Sequence, residues 1–355
     1  MSVEFWSKLK KPITALAPMA NVTDAAFRRM FVECGLPRAT HSKRNEEESR
    51  GVSDTSGRPS VFWTEFVSVE GLLSRGREKL LIDLWFTKEE HPIVAQLFGG
   101  KPEQFEEVGA LIRELGFDGI DINMGCPDAG VEKSGGGAAL IKKPELAKEI
   151  IRATKRGSGS LPVSVKTRLG YLKDESATWI PALLEEDIAA LTVHLRTRKE
   201  MSDVPAHWEL APSIVAMRDR IAPQTILLGN GDVNTFDDIA LRTKESGFDG
   251  VMVGRGAFGN PWFFLRRAEA SCEGGSGYVP TIRERLERMV LHAELFEKLY
   301  RCNTPGGLKG FEVMKKHFKA YCSGFDDAKE LRIKLMEVEN AEAVATVVKD
   351  FLKGR

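Results

Sequence analysis

Residues Ile93–Asn123 read IVAQLFGGKPEQFEEVGALIRELGFDGIDIN, and the fold turns on how this stretch divides. IVAQLF and GIDIN are short apolar runs of strand length. Between them, Pro102–Leu115 repeats apolar residues at helical spacing, with Pro102 in the first turn and Gly116 past the end. A strand, a helix and a strand joined this tightly make two neighbouring parallel strands with a crossover helix.

The alternation continues in both directions. Further strands are expected at Ile13–Ala17, Val61–Glu65, Pro162–Lys166, Ala190–His194, Thr225–Gly229 and Gly250–Val253. Helical periodicity falls between them at Asp24–Cys34, Pro144–Arg156, Ala177–Asp187, Trp208–Arg220 and Thr235–Ser246. Eight strands and their helices in roughly 250 residues predict an α/β fold, a (β/α)8 TIM barrel. A doubly wound open sheet is the rival, and it rarely needs eight strands so evenly spaced.

Two stretches depart from the pattern. Residues 38–60 are polar, charged and Gly/Ser-rich, and are expected to form a surface insertion. Beyond the linker-like EGGSGYVP at Glu273, helical patterns at Thr281–Tyr300, Leu308–Cys322, Asp327–Val338 and Ala341–Leu352 occur with no strand. The expected organisation is therefore a catalytic barrel over 1–272 and an all-helical domain over 278–355.

Composition narrows the function classes. The chain has 355 residues, 42% of them hydrophobic, and 51 Lys and Arg against 51 Asp and Glu. Zero net charge excludes a protein that coats nucleic acid, but leaves room for a local basic face. Past Leu265 the balance tilts to 17 Lys and Arg against 14 Asp and Glu, with Lys309, Lys315, Lys316 and Lys319 clustered. Five cysteines, odd in number and never in a C-x-x-C pair, argue against a metal site or a disulfide framework. With no signal-like apolar core in MSVEFWSKLKK and no run of about 18 apolar residues, a cytoplasmic monomer without an obligate protein partner is expected.

In such a barrel the chemistry gathers at the C-terminal ends of the strands. Those ends carry Pro18-Met19-Ala20-Asn21, Gln96, Asn123 to Pro127, Lys166-Thr167-Arg168, His194, Gly229 to Asp232 and Gly254-Arg255-Gly256. Glycines after strands seven and eight let backbone N–H groups approach a phosphate, and Arg255 adds a full charge. Lys166 can hold a cation against an electron-rich ring, while Gln96, Asn123 and His194 can bond an amide-like heterocycle, which are the contacts a flavin needs. Cys126 sits in a Gly-Cys-Pro turn rather than a core position, so its thiol is a candidate nucleophile or proton donor. Cys34, Cys272, Cys302 and Cys322 read as core. The glycine-rich loop after Cys126 suggests a lid.

APMANVTDAAFRRM, TEFVSVEGL, AQLFGG, DGIDINMGCP, SVKTRLGY, GNGDV and VGRGAFGNPW, in this order, resemble the tRNA-dihydrouridine synthases. KKHFKAYCSGFDDAKELR in the tail is similar to that family's tRNA-binding domain. The resemblance implies FMN in the barrel mouth, NADPH as reductant, and hydride transfer to C6 of a uridine flipped out of tRNA. It assigns the proton for C5 to Cys126. It gives Pro18, Met19, Ala20, Gln96, Lys166, His194, Asn230, Gly231, Asp232, Gly254 and Arg255 to the cofactor. Asn123, Arg168, Lys133, Arg198, Lys316 and His317 are expected to meet the substrate. A related flavin barrel reducing a free pyrimidine is the alternative. Departures from the family pattern are Leu195 after the strand-six histidine, the loop RKEMSDVPAHWE and Asp128-Ala129-Gly130.

Overall fold

The computed structural model describes residues 5–35, 57–266, 277–301 and 309–354. Positions 38–56 of the insertion, 273–276 of the linker, Cys272 and Cys302 lie outside the described residues. Eight strands form one sheet: β1 (Ile13–Leu16), β2 (Phe62–Ser68), β3 (Ile93–Phe98), β4 (Gly119–Met124), β5 (Val163–Arg168), β6 (Ala190–His194), β7 (Ile226–Asn230) and β8 (Gly250–Val253). All neighbours are parallel, in the order β1-β8-β7-β6-β5-β4-β3-β2. The parallel bridge Ala15↔Val61 joins the two ends, so the sheet closes into the expected barrel. Helices follow the strands, and both strand faces are covered: β3 and β4 are buried almost throughout, which is why they read as apolar runs rather than as alternation.

Strand ends differ from expectation where the site is built. β5 and β7 reach Arg168 and Asn230, so both residues are held in the ladder, paired with His194 on β6. β2 starts at Phe62 and breaks register between Trp63 and Phe66. There Thr64 Oγ1 accepts the Gln96 N–H at 3.1 Å, so a side chain supplies the missing ladder partner and pins β3 at Gln96.

The bottom of the barrel is sealed by Trp6, whose ring lies 5.8 Å from that of Trp63 at a tilt of 51° and which packs with Ile13, Ala15, Val94, Ala190 and Leu228. Small residues at Ala15, Ala17 and Ala190 leave room for the two indoles.

Contacts divide the chain into two compact units, and not at the expected boundary near 272. One unit is Met1–Ala20, Pro59–Asn234 and Asp238–Arg255; the other is Asn21–Arg58, Thr235–Asp237 and Gly256–Arg355. Packing explains the second unit. Helix Ala25–Gly35 buries Phe27 and Phe31 against Phe258 and Phe264, and the Tyr300 hydroxyl accepts the Ala25 N–H at 3.0 Å. Helices Ile282–Tyr300, Met314–Tyr321, Ala328–Met336 and Ala341–Lys353 complete it. Thr281 and Glu284 form a reciprocal cap at the start of the first of these.

In this unit His317 departs from its expected role at the substrate. It is fully buried, with its ring 5.3 Å from those of Phe27 and Phe258 and 4.6 Å from that of His292. One face of Met314–Tyr321 meets the core, and His317 lies on it beside Met314, Phe318 and Tyr321. Lys316 is half-buried on the same helix. Cys322 is buried as expected, whereas Cys34 is only half-buried.

A candidate active site at the barrel mouth

Strands β3, β4 and β5 set four polar side chains in contact. Asn123 Nδ2 donates to Gln96 Oε1 at 3.0 Å, and Gln96 Nε2 donates to Asp121 Oδ2 at 2.7 Å. Ser164 Oγ donates to the other carboxylate oxygen at 2.6 Å. Asp121 was not singled out from the sequence, yet the signal was present: two residues before Asn123, it faces the same side of a strand. Burial pushes its carboxyl up to about 6, against the pull of the Ser164 and Gln96 hydrogen bonds.

Cys126 is half-buried in the turn that β4 runs into. Asn123 Oδ1 accepts the N–H groups of Gly125 (3.1 Å) and Cys126 (2.9 Å), and the Cys126 carbonyl accepts Ala138 N–H at 2.9 Å. Burial pushes the thiol above its ordinary range despite nearby Lys166 and Arg168, so it stays protonated at neutral pH. The loop that follows is packed rather than lid-like. A Cβ at Gly136 would lie 2.7 Å from Gly99 N, and one at Gly137 would lie 2.6 Å from Cys126 O. These glycines serve close backbone approach, not mobility.

On the far side of the mouth Lys166 Nζ reaches Asn230 Oδ1 at 3.3 Å, while Asn230 Nδ2 donates to Met252 O. Both ends of the Asn230 side chain are therefore used in aiming Lys166. Burial, then the repulsion of Arg168, lowers the Lys166 ammonium to about 8. His194 Nε2 lies 3.1 Å from Arg196 Nη1. A guanidinium can only donate, so Nε2 is the acceptor and the proton sits on Nδ1. Burial, followed by Arg168, Lys166, Arg196 and Arg255, keeps this imidazole neutral far below its ordinary value.

Strands β7 and β8 end in a cradle for an anion. The backbone N–H groups of Gly231, Asp232, Gly254 and Arg255 donate to none of the described residues. Gly231 has φ of +121°, and a Cβ there would lie 2.8 Å from Ala206 Cβ and 3.2 Å from His194 Cδ2. An aspartate beside such a cradle needs its charge cancelled. Asp232 accepts from Arg196 Nη2 (2.5 Å), Ala206 N–H (2.8 Å) and Arg255 Nη2 (3.1 Å). These contacts outweigh burial and hold its carboxyl below the ordinary range. Across β1, Met19 Sδ would lie 3.7 Å from a Cβ on Gly254, which brings the Pro18-Met19-Ala20 segment to the same mouth.

The basic residues expected to meet substrate are placed unevenly. Arg168 is 6% exposed and donates to the carbonyls of Gly125, Thr197 and Met201, tying the Cys126 turn to the loop after β6. Arg196, two residues before Arg198, is 1% exposed and locked to Asp232 and the Val204 carbonyl. Arg198 pairs its Nε–Nη2 edge with both carboxylate oxygens of Glu132, and its Nη2 reaches the Pro127 carbonyl at 3.3 Å. Tyr171 bonds the same Glu132 at 3.0 Å, and Lys142 Nζ sits 3.9 Å above its ring. Lys133 is exposed. The unusual loop 198–209 is held internally: Leu195 is fully buried, and His207 and Thr197 both bond Glu200. Among the described residues, no helix is long and apolar enough to cross a membrane.

The model of the dihydrouridine synthase (Dus) family matches residues 15–354. A Staphylococcus aureus protein named "Probable tRNA-dihydrouridine synthase" is 40% identical over 353 residues, 99% of this chain and 96% of its own. A Staphylococcus epidermidis protein of the same name is 41% identical, covering 97% and 95%. "Probable tRNA-dihydrouridine synthase 2" of Bacillus subtilis is 38% identical, covering 99% and 97%. Among solved structures, morphinone reductase in complex with tetrahydroNAD aligns over 70% of this chain and 84% of its own. At 13% identity and a TM-score of 0.45, that likeness is too distant to bear on function. A family match over residues 15–354 and end-to-end similarity of this depth mean that the chain belongs to the dihydrouridine synthase family.

Proposed function

We propose that the protein reduces uridines in tRNA to 5,6-dihydrouridine, with FMN as cofactor and NADPH as reductant. The observation that carries the reading, beyond the family match, is the Cys126 thiol, kept protonated in a turn anchored on both sides. The donor set suits FMN. The backbone N–H groups of Gly231, Asp232, Gly254 and Arg255, which donate to none of the described residues, fit its phosphate, in a mouth where burial and nearby cations keep His194 neutral. Gln96 and the Lys166 ammonium fit a ring with carbonyls and a developing negative charge, and Pro18, Met19 and Ala20 can line it through backbone.

The chemistry that FMN supplies is a hydride for C6 of the base. Cys126 donates its Sγ proton to C5, completing addition of two hydrogens across the C5=C6 bond, and the resulting thiolate is reprotonated from solvent. Lys166 and Arg168 stabilise that thiolate while it lasts. Asn123 has already given its Oδ1 to two backbone N–H groups, so it offers a base an N–H. That partner suits a carbonyl, as on uracil, and not an amino group. Lys133 and Lys316 remain candidates for phosphate contacts; Arg168 and Arg198 act first on the loops that frame Cys126.

The test is Cys126→Ala with tRNA lacking dihydrouridine as substrate. The variant is expected to keep FMN and NADPH oxidation and to lose about 100-fold or more in dihydrouridine formation. Normal product yield from this variant places the acid elsewhere. Reduction of free uridine or uracil in preference to tRNA by the unmodified protein establishes the free-pyrimidine reading instead.

A further inference from the structure

Hydrogen bonds among buried amides usually have two possible directions, because the oxygen and nitrogen of Asn and Gln can trade places. Here the direction is set from both ends. At one end, the N–H groups of Gly125 and Cys126 can only donate, so the atom of Asn123 that meets them is Oδ1. At the other end, a carboxylate can only accept, so Gln96 turns Nε2 to Asp121. The two constraints agree in the middle, where Asn123 Nδ2 donates to Gln96 Oε1. Ser164 Oγ donates to the remaining carboxylate oxygen, and its own alternative acceptor is the Ile120 carbonyl at 3.4 Å. Gln96 and Asp121 are fully buried, Ser164 and Asn123 nearly so. At that burial a reversed amide would leave two donors or two acceptors face to face, which is costly.

We propose that Asp121 is a positioning residue: as the acceptor-only end of a one-way hydrogen-bond chain, it fixes the orientation of Gln96 and Asn123 and, through Asn123, the Gly125–Cys126 turn that aims the thiol. Asp121 touches neither cofactor nor base in this scheme. Burial raises its carboxyl only to about 6, so at neutral pH it is still the carboxylate that the chain requires. Its charge also faces Lys166, and the two roles, charge and direction, separate by substitution. Asp121→Ala removes both. Asp121→Asn removes the charge and keeps an acceptor for Gln96, with Ser164 turning to the Ile120 carbonyl.

Part of the test rests on the dihydrouridine synthase reading and part does not. The independent part is alkylation of Cys126 by iodoacetamide in the purified protein without tRNA, followed by peptide mass spectrometry to separate it from the other thiols. Loosening the turn exposes the thiol, so Asp121→Ala is expected to be alkylated about 10-fold faster at neutral pH. Asp121→Asn should stay within about 3-fold of the unmodified protein. In the dependent part, Asp121→Ala loses about 100-fold in dihydrouridine formation with NADPH oxidation little changed, and Asp121→Asn recovers most of it. Equal effects of Ala and Asn on alkylation overturn the proposal, since charge alone then acts; so does a normal alkylation rate in Asp121→Ala. Should Asp121→Ala not fold, Asn123→Asp carries the same test. That substitution sets carboxylates at both ends of Gln96 and should speed alkylation, while the double variant Asp121→Asn/Asn123→Asp lets Gln96 reverse and restores the slow rate. Failure of that rescue overturns the proposal. If the unmodified protein makes no dihydrouridine, the proposed activity fails while the alkylation results still judge Asp121.

Discussion

Replacing Lys166 by Met should make the cofactor-free protein more stable while destroying its proposed function. The side chain stands in the barrel mouth, where burial and Arg168 lower its ammonium from 10.5 to about 8. A shift of that size corresponds to about 3 kcal/mol against the charged form. Lys166 is half-buried and not sealed, so contact with solvent reduces this to about 2 kcal/mol. Met has a similar stem and no charge to desolvate, and the lost contact to Asn230 is long at 3.3 Å. The sign follows from proton linkage. Between pH 8 and 10.5 the unfolded chain binds a proton at Lys166 that the native state has released, so native stability rises with pH through that window. Below about 8 the native state carries the full penalty. Urea denaturation of both proteins without FMN, at pH 7 and at pH 10, cancels the titration of all other groups. The variant should exceed the unmodified protein by about 2 kcal/mol at pH 7, and the gap should shrink toward zero at pH 10. A variant less stable at pH 7, or a gap that does not change with pH, refutes the desolvation argument. Retention of FMN by the variant refutes the placement of Lys166 at the cofactor.

His317→Phe should likewise stabilise the protein, by about 1 kcal/mol at pH 7, because neither nitrogen of the buried imidazole has a hydrogen-bond partner among the described residues. Burial, His292 and Lys316 keep His317 neutral far below its ordinary 6.5, so the unmodified protein loses stability as pH falls through 6.5 and the variant loses less. Thermal melting at pH 7.5 and 5.5 reads this, and a variant that melts lower at both values returns His317 to a role outside the core. Gly231→Ala should cost about 2 kcal/mol or more, from the positive φ and the collision with Ala206, and should weaken FMN binding. An unchanged unfolding midpoint with normal cofactor retention would sink the cradle at the end of β7.

Most of the barrel was legible because each parallel strand is buried on both faces and leaves a short apolar run, as Ile93–Phe98 and Gly119–Met124 do. The polar strand ends stood out against those runs, so Gln96, Asn123, Cys126, Lys166, His194 and the glycines after β7 and β8 were identifiable one by one. What was not legible is who holds whom. Arg196 and Arg198 are two residues apart and look alike on paper. One is sealed against Asp232, 36 residues away, and the other is paired with Glu132, 66 residues away. The tail shows the same limit. Lys316 and His317 are adjacent, but about 100° of rotation around the helix separates a half-buried cation from a core imidazole. The glycines after Cys126 looked like a hinge because flexibility and close packing call for the same residue.

Local pattern alone therefore determined the fold class, the side of the barrel that carries chemistry, and the chemical types gathered there, since strand burial, helix periodicity and turn residues act over a few positions. Tertiary structure decided the state of those groups. Only the closed barrel sets Asp121 on β4 beside Gln96 on β3 and Ser164 on β5, buries them, and so gives their hydrogen bonds one direction. A proton on Cys126, a neutral His194 and a weakened Lys166 ammonium depend on distances between strands far apart in the chain, and no stretch of sequence holds those distances.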